Sequence, residues 1–373
     1  MTSTIDRGIH TRTLGSTNTS SSTPPASYFL IFSIKMNSIP WRGVISGALF
    51  GAALTAAGMY TPSTIIEQMN LTNFHMLKAF LAASGSSALT ILLGHQLSLT
   101  KCSPRTPATI SLPFGPYNGN VIGGIILGLG LTLSGACPGT VWSQLVTGVP
   151  SAIPVLAGTV LGGILYSFLK PHITPSSSQI ATAKNKPAFR KPTVTQRTGI
   201  SKANGVALYE LLCITGILTA NFFFPRNNPS LLSPIQGGLL VGLSQFTSLL
   251  LTTSTLGSST AFEQIGDLFW WSFDTSKRRP SLRNTAFAVG TILGSFILSR
   301  YADVPISNGK IVIGTTRAVL GGICLVVGSR IAGGCTSGHG ISGMSMLSIS
   351  SFVSVAAMFA AGVGSASFLR NRG

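Results

Sequence analysis

The stretch Arg330–Ser345, RIAGGCTSGHGISGMS, follows an apolar run long enough to enter a bilayer and then abruptly stops being apolar. Its sixteen positions hold five glycines, a cysteine, a histidine and four hydroxyl residues. Irregular backbone at membrane depth survives only where it is buried in protein or lines a wet cavity. A chain that interrupts a spanning helix in this way is building an interior site, so the reading turns on whether the rest of the sequence spans a membrane.

Composition says that it does. Of 373 residues, 45% are hydrophobic and 9% are charged, against about 25% charged in soluble domains. The few charges cluster and leave long apolar windows between them, the pattern of a polytopic membrane protein. The 43 glycines suit closely packed membrane helices. A formal charge of +18 would suggest nucleic acid in a soluble chain. Here the basic residues fall between apolar segments, so they read as topology signals, and no nucleic-acid partner is expected. The five cysteines show no paired spacing, which argues against a disulfide framework.

Nine candidate spans lie near 43–59, 75–93, 119–136, 150–169, 204–224, 235–252, 284–299, 311–332 and 348–368. The fold class expected is all-α: about nine transmembrane helices in two pseudo-symmetric repeats, with re-entrant glycine/cysteine loops. Residues 1–35 read as a disordered Ser/Thr-rich tail, with Met36 an alternative start. Residues 36–170 form a first membrane repeat, 171–203 a basic cytoplasmic linker, and 204–373 a second repeat with a connecting helix. Placing the N-terminus inside puts 17 of the 25 basic residues on the cytoplasmic side, as the positive-inside rule requires. Arg370 and Arg372 dissent from that count.

The halves share more than composition. Gly123–Cys137, GGIILGLGLTLSGAC, aligns without gaps to Gly321–Cys335, GGICLVVGSRIAGGC, with seven identities in fifteen positions. GALF at Gly47 and GGLL at Gly237 open the corresponding earlier spans. Four spans, a connecting one and four more would make the halves inverted in topology, a transporter plan that places the substrate site at the repeat interface.

The candidate site is therefore double. Gly135, Cys137, Gly139 and Thr140 form one break; Gly333, Gly334, Cys335, Thr336, Ser337, Gly338, His339, Gly340 and Ser342 form the other. Glycine permits the left-handed backbone that turns successive N–H groups toward one anion. A short helix starting at Ile341 would add its positive end. A thiol is a weak donor and soft acceptor, matched to a sulfur atom rather than to a hard oxygen. His339 either donates to the ligand or holds the loop. Arg330 either attracts an anion or snorkels to a headgroup. Glu210 is the acidic residue read inside a span and the candidate for proton coupling, while Trp270 and Trp271 read as an interfacial amphipathic segment. One cysteine and one histidine four residues apart fall short of a zinc site, so no metal or other cofactor is expected.

These residues resemble the YeeE/YedE family of sulfur-compound transporters, in the form that fuses two related half-proteins. GCTSGHGISGMSMLS is close to the family signature, LSGACPGT resembles the shorter signature of the partner half, and GAALTAAGMYTPSTI fits the first-half pattern. The resemblance covers most of Gly43–Leu369 and implies an integral membrane protein, of the plasma membrane, that imports thiosulfate or a similar small sulfur oxyanion. It implies that Cys137 and Cys335 lie on the path. A further cysteine expected of such importers has no counterpart in LTTSTLGSS (251–259). A cytoplasmic sulfur-accepting protein is the partner such a role implies. Two other readings compete: a membrane sulfurtransferase carrying a persulfide on Cys335, and a membrane scaffold that transports nothing.

Overall fold

The computed structural model describes residues 40–99, 103–110, 115–175, 187–275, 279–305 and 311–371. The expected N-terminal tail, Cys102 and part of the basic linker lie outside these residues. The described chain is helical, in order α1 (Pro40–Ala56), α2 (Pro62–Met69), α3 (His75–Gln96), α4 (Asn118–Ser134), α5 (Thr140–Val146), α6 (Ala152–Ile173), α7 (Pro187–Arg190), α8 (Val194–Thr198), α9 (Lys202–Phe223), α10 (Pro234–Thr252), α11 (Ser259–Phe273), α12 (Arg283–Tyr301), α13 (Thr315–Ile331), a π-helical turn (Ser337–Gly343) and α14 (Ile349–Arg370).

Nine described helices of 17–22 residues, α1, α3, α4, α6, α9, α10, α12, α13 and α14, fall on the nine expected spans. Five of them, α3, α6, α9, α10 and α14, are individually long and apolar enough to cross a membrane. The outward faces confirm the solvent they are built for. On α9, Leu211, Leu212, Leu218 and Phe222 are 60–82% exposed, which suits hydrocarbon and not water.

Setting α7, α8 and α9 aside, the helices fall into four units of long helix, short helical element, long helix: α1–α2–α3, α4–α5–α6, α10–α11–α12, and α13–π turn–α14. In each unit the first long helix is stopped by a residue in the left-handed region: Gly58 (φ 67°), Gly135 (φ 57°), Thr253 (φ 53°) and Gly333 (φ 80°). A left-handed residue just past the last turn ends a helix by capping its free carbonyls.

Glycine contacts fix how the units pair. A Cβ on Gly47 would sit 2.0 Å from the Phe287 carbonyl and one on Gly294 1.9 Å from that of Ala48, so α1 and α12 run parallel at backbone contact. Gly128 meets Met358 in the same way, pairing α4 with α14; Gly238 meets Ala79 and Gly158 meets Val319, pairing α10 with α3 and α13 with α6. The first unit thus interlocks with the third, and the second with the fourth. The repeat-related helices α4 and α13 touch through Gly123 against Ala332 and Gly321 against Ser134. The start of each lies at the end of the other, so they are antiparallel. Corresponding helices that run antiparallel are what an in-plane two-fold produces, and the halves are inverted repeats.

The described part of the linker is folded onto this body. The Thr193 hydroxyl accepts from Gln196 N–H and the Gln196 carboxamide accepts from Thr193 N–H, a capping box that starts α8. Thr193 pairs with Ser348 as an isolated antiparallel bridge; Val194 N–H donates to Leu347 O at 3.0 Å and Ile349 N–H to Pro192 O at 2.9 Å.

Candidate functional site

The four helix breaks converge. The absent Cβ of Gly135 would lie 2.8 Å from Pro62, joining the second break to the first. That of Gly139 would lie 3.3 Å from Ser258 Oγ, joining the second break to the third. Ser258 Oγ in turn lies 3.8 Å from the sulfur of Cys335, joining the third to the fourth. The meeting point is lined by polar groups that a purely apolar core would exclude.

Cys335 is 1% exposed. Its sulfur lies 3.2 Å from Ser337 Oγ, and the backbone N–H groups of Gly338 and Ser259 and the Ser259 hydroxyl also face it. Cys137 is buried too, with its own N–H donating to Thr140 Oγ1 at 2.8 Å and the N–H groups of Gly139 and Thr140 turned toward its sulfur. The two thiols lie within electrostatic range of each other. The described cysteines, Cys137, Cys213, Cys324 and Cys335, are free.

The fourth break is held from several sides. His339 bridges it, with Nε2 2.9 Å from the Ala332 carbonyl and Nδ1 3.0 Å from Ser351 Oγ. A carbonyl accepts only, so Nε2 carries the proton and Nδ1 accepts from the serine. Both ring nitrogens are occupied by the protein, which makes His339 a loop holder in this structure. Ser342 donates to Gln245 Oε1 at 2.7 Å, and Thr336 to the sulfur of Met358 at 3.7 Å. Gly340 is pressed against Phe80, whose ring would be 1.9 Å from a Cβ there, and its carbonyl accepts from Ser84 at 2.8 Å. The helical turn begins at Ser337, four residues earlier than the start at Ile341 that the sequence suggests, and is wound as a π helix, a form frequent at functional sites.

Arg330 is committed to a buried acid. Its guanidinium is ion-paired with Glu263, donates to Thr260 Oγ1 at 3.2 Å and lies 5.9 Å from the centre of the Tyr166 ring. Lys170 shares the same carboxylate at 2.6 Å. Glu263 is 5% exposed, a second acidic residue at depth besides Glu210. Sequence patterning hides it because α11 reads as interfacial. Only the far end of that helix, where Trp270 is 40% exposed, behaves so, while Ala261, Phe262 and Glu263 are buried. Glu210 sits on α9 with Oε1 buried and without a hydrogen-bond partner. Arg317 lies in the first turn of α13 and is exposed.

The cation hydrogen-bonded to the Cys335 loop is Arg105, whose Nη1 donates to Gly333 O at 2.9 Å. Sequence reading counts it among the topology signals. Ser258 and Ser259, which close the LTTSTLGSS stretch, also belong to the meeting point, as does Gln245, which carries no local motif. Gln144 does the equivalent of a latch at the second break, donating to Gly135 O at 2.9 Å.

The chain matches the family described as sulphur transport over residues 56–364. The thiosulfate transporter TsuA of Escherichia coli is 23% identical over 361 residues, 90% of this chain and 95% of that protein. TsuA of Spirochaeta thermophila is 22% identical over 336 residues, 84% of this chain and 94% of that protein. A probable transporter of Xylella fastidiosa is 32% identical over 140 residues, which is 36% of this chain but 93% of that protein, a relative of about one repeat's size. With a match that takes in all four helix breaks, this integral, multi-pass membrane protein belongs to the sulphur-transport (YeeE/YedE) family and is a transporter of sulfur compounds.

Proposed function

We propose that the protein imports a small sulfur oxyanion, thiosulfate foremost, along a path through the meeting point of its four helix breaks, with Cys137 and Cys335 as successive contacts. The observation that carries this reading is the nearness of two repeat-related thiols, each faced by backbone N–H groups and hydroxyls. Desolvating an anion costs far more than S–H contacts return. Affinity therefore comes from the N–H and O–H donors, and the thiols supply discrimination. Thiosulfate's terminal sulfur accepts weakly from a thiol, whereas sulfate offers a hard oxygen there that the site solvates poorly.

The TsuA relatives are named as thiosulfate transporters, which supports this substrate. A dianion entering a plasma membrane negative inside by 100 mV moves uphill by about 4.6 kcal/mol. Rapid removal inside, by a cytoplasmic sulfur-accepting protein, supports net import. Uptake of radiolabelled thiosulfate into vesicles tests the reading. Cys335→Ser and Cys137→Ser are expected to lower it at least about tenfold, because the hydroxyl still donates but is a hard partner that no longer matches the terminal sulfur. Unimpaired uptake by both variants overturns the reading.

A further inference from the structure

Arg105 lies on the connection between α3 and α4, in the stretch 103–110 that packs against the fourth break. Its backbone is fixed there: Arg105 N–H donates to Ser348 Oγ at 3.0 Å, and its carbonyl accepts from Ser350 Oγ at 3.1 Å. The side chain is half-buried and reaches back over the Cys335 loop. Nη1 lies 3.0 Å from where a Cβ of Gly334 would stand, and Nη2 3.0 Å from that of Gly338. Both glycines therefore leave room for the guanidinium, and the Gly338 N–H that faces the Cys335 sulfur is next to it.

This guanidinium is under-used by the protein. Nη1 has the Gly333 carbonyl, but Nε is buried with no hydrogen-bond partner. Among the described residues no carboxylate pairs with it; Glu263, the buried acid, is taken by Lys170 and Arg330. A desolvated donor on an unneutralised cation is costly unless an anion completes it. Guanidinium forks match the oxygens of oxyanions in two-point contacts.

We propose that Arg105 is the anion seat beside Cys335, holding the oxygens of a small divalent sulfur oxyanion so that its terminal sulfur faces the thiol. The seat rests on the transport function proposed above and divides the labour at that site. Arg105 reads charge and Cys335 reads sulfur.

Equilibrium binding of labelled thiosulfate to the detergent-solubilised full chain, with unlabelled sulfate as competitor, tests the division. Arg105→Gln is expected to weaken thiosulfate and sulfate together, each by about tenfold or more, leaving their ratio unchanged. Arg105→Lys, which keeps the charge but loses the fork, is expected to recover only part of the affinity for both anions. Cys335→Ser is expected to lower the thiosulfate-to-sulfate ratio instead. A merely structural arginine would not move the two anions in step. Should Arg105→Gln fail to fold, Gly338→Ala, which pushes Nη2 aside, and Arg105→Lys carry the same comparison. Unchanged affinity in a folded Arg105→Gln or Gly338→Ala overturns the seat while leaving the transport reading standing. Absence of thiosulfate binding by the unaltered protein overturns both.

Discussion

Ser258 Oγ stands 3.8 Å from the Cys335 sulfur although the two residues flank helices of different units. Ser258 precedes α11 and Cys335 follows α13, so this contact reports whether the third and fourth breaks remain together. Replacing the serine by cysteine puts two sulfurs at a separation that small local motion can close to a bond. Ser258→Cys treated with a mild oxidant is expected to form a disulfide between the introduced thiol and Cys335, detected by mass spectrometry of the digested protein. It is also expected to lose thiosulfate uptake until reductant is added. Failure of any such crosslink to form would contradict the convergence of the breaks.

The glycines at helix crossings make a sharper stability prediction. Gly294→Val would put a branched side chain where even a Cβ comes within 1.9 Å of the Ala48 carbonyl. Overpacking of this kind costs about 1–3 kcal/mol or more, and here the obstacle is backbone, which yields least. Gly364, also in a long helix, has nothing within 4 Å of its Cβ position. Gly364→Ala is therefore expected to hold or raise stability, by up to about 1 kcal/mol from helix propensity. Thermal unfolding in one detergent, with the two variants side by side, checks the contrast. Equal losses in both would mean that the α1–α12 contact is misplaced.

What was legible in the sequence follows from the same physics. Spans announce themselves because hydrocarbon admits only long apolar helices, and all nine expected spans correspond to long helices. The breaks at Gly135 and Gly333 were legible because each couples glycine to a repeated cysteine. Their counterparts at Gly58 and Thr253 carry no cysteine, and only the family resemblance, through GAALTAAGMYTPSTI and LTTSTLGSS, points to them. At Gly58 the residues that follow are Met59 and Tyr60, and at Thr253 the left-handed turn is taken by a β-branched residue with no glycine to mark it. Arg105 and Glu263 escaped for a different reason. Their roles depend on partners distant in the chain, Gly333 for one and Arg330 with Lys170 for the other. Charge patterning along the sequence sees only a basic loop and an amphipathic helix.

The folded part of the linker makes a local prediction. Val194 and Ile349 N–H groups are engaged across the contact between 192–194 and 347–349. Both amides are expected to exchange slowly with solvent deuterium. Thr193→Ala removes the side-chain half of the capping box at a cost of about 1 kcal/mol. It is expected to speed exchange at both sites about fivefold while leaving α3 and α9 protected, because opening here is local. Fast exchange of both amides in the unaltered protein would show that the linker is not seated on the fourth unit.

The Glu263 cluster offers the last test. Glu263→Gln leaves Arg330, 17% exposed in its side chain, without its counter-charge, whereas Lys170, 46% exposed, can turn to water. Removing one partner of a buried pair costs about 3–5 kcal/mol, and the lower end applies where one cation stays hydrated. Adding Arg330→Gln to Glu263→Gln takes away the stranded charge, so the double variant is expected to be more stable than Glu263→Gln alone. That pattern requires a coupling energy between the two sites that independent sites lack. Strict additivity of the two substitutions, read from denaturation midpoints, would mean that the pair does not hold α11 to the end of α13. If Arg330 instead served the anion directly, Arg330→Gln would weaken thiosulfate and sulfate as Arg105→Gln is expected to. The pairing with Glu263 predicts that Arg330→Gln changes stability and leaves both anion affinities within about twofold, since a compensated charge adds little attraction.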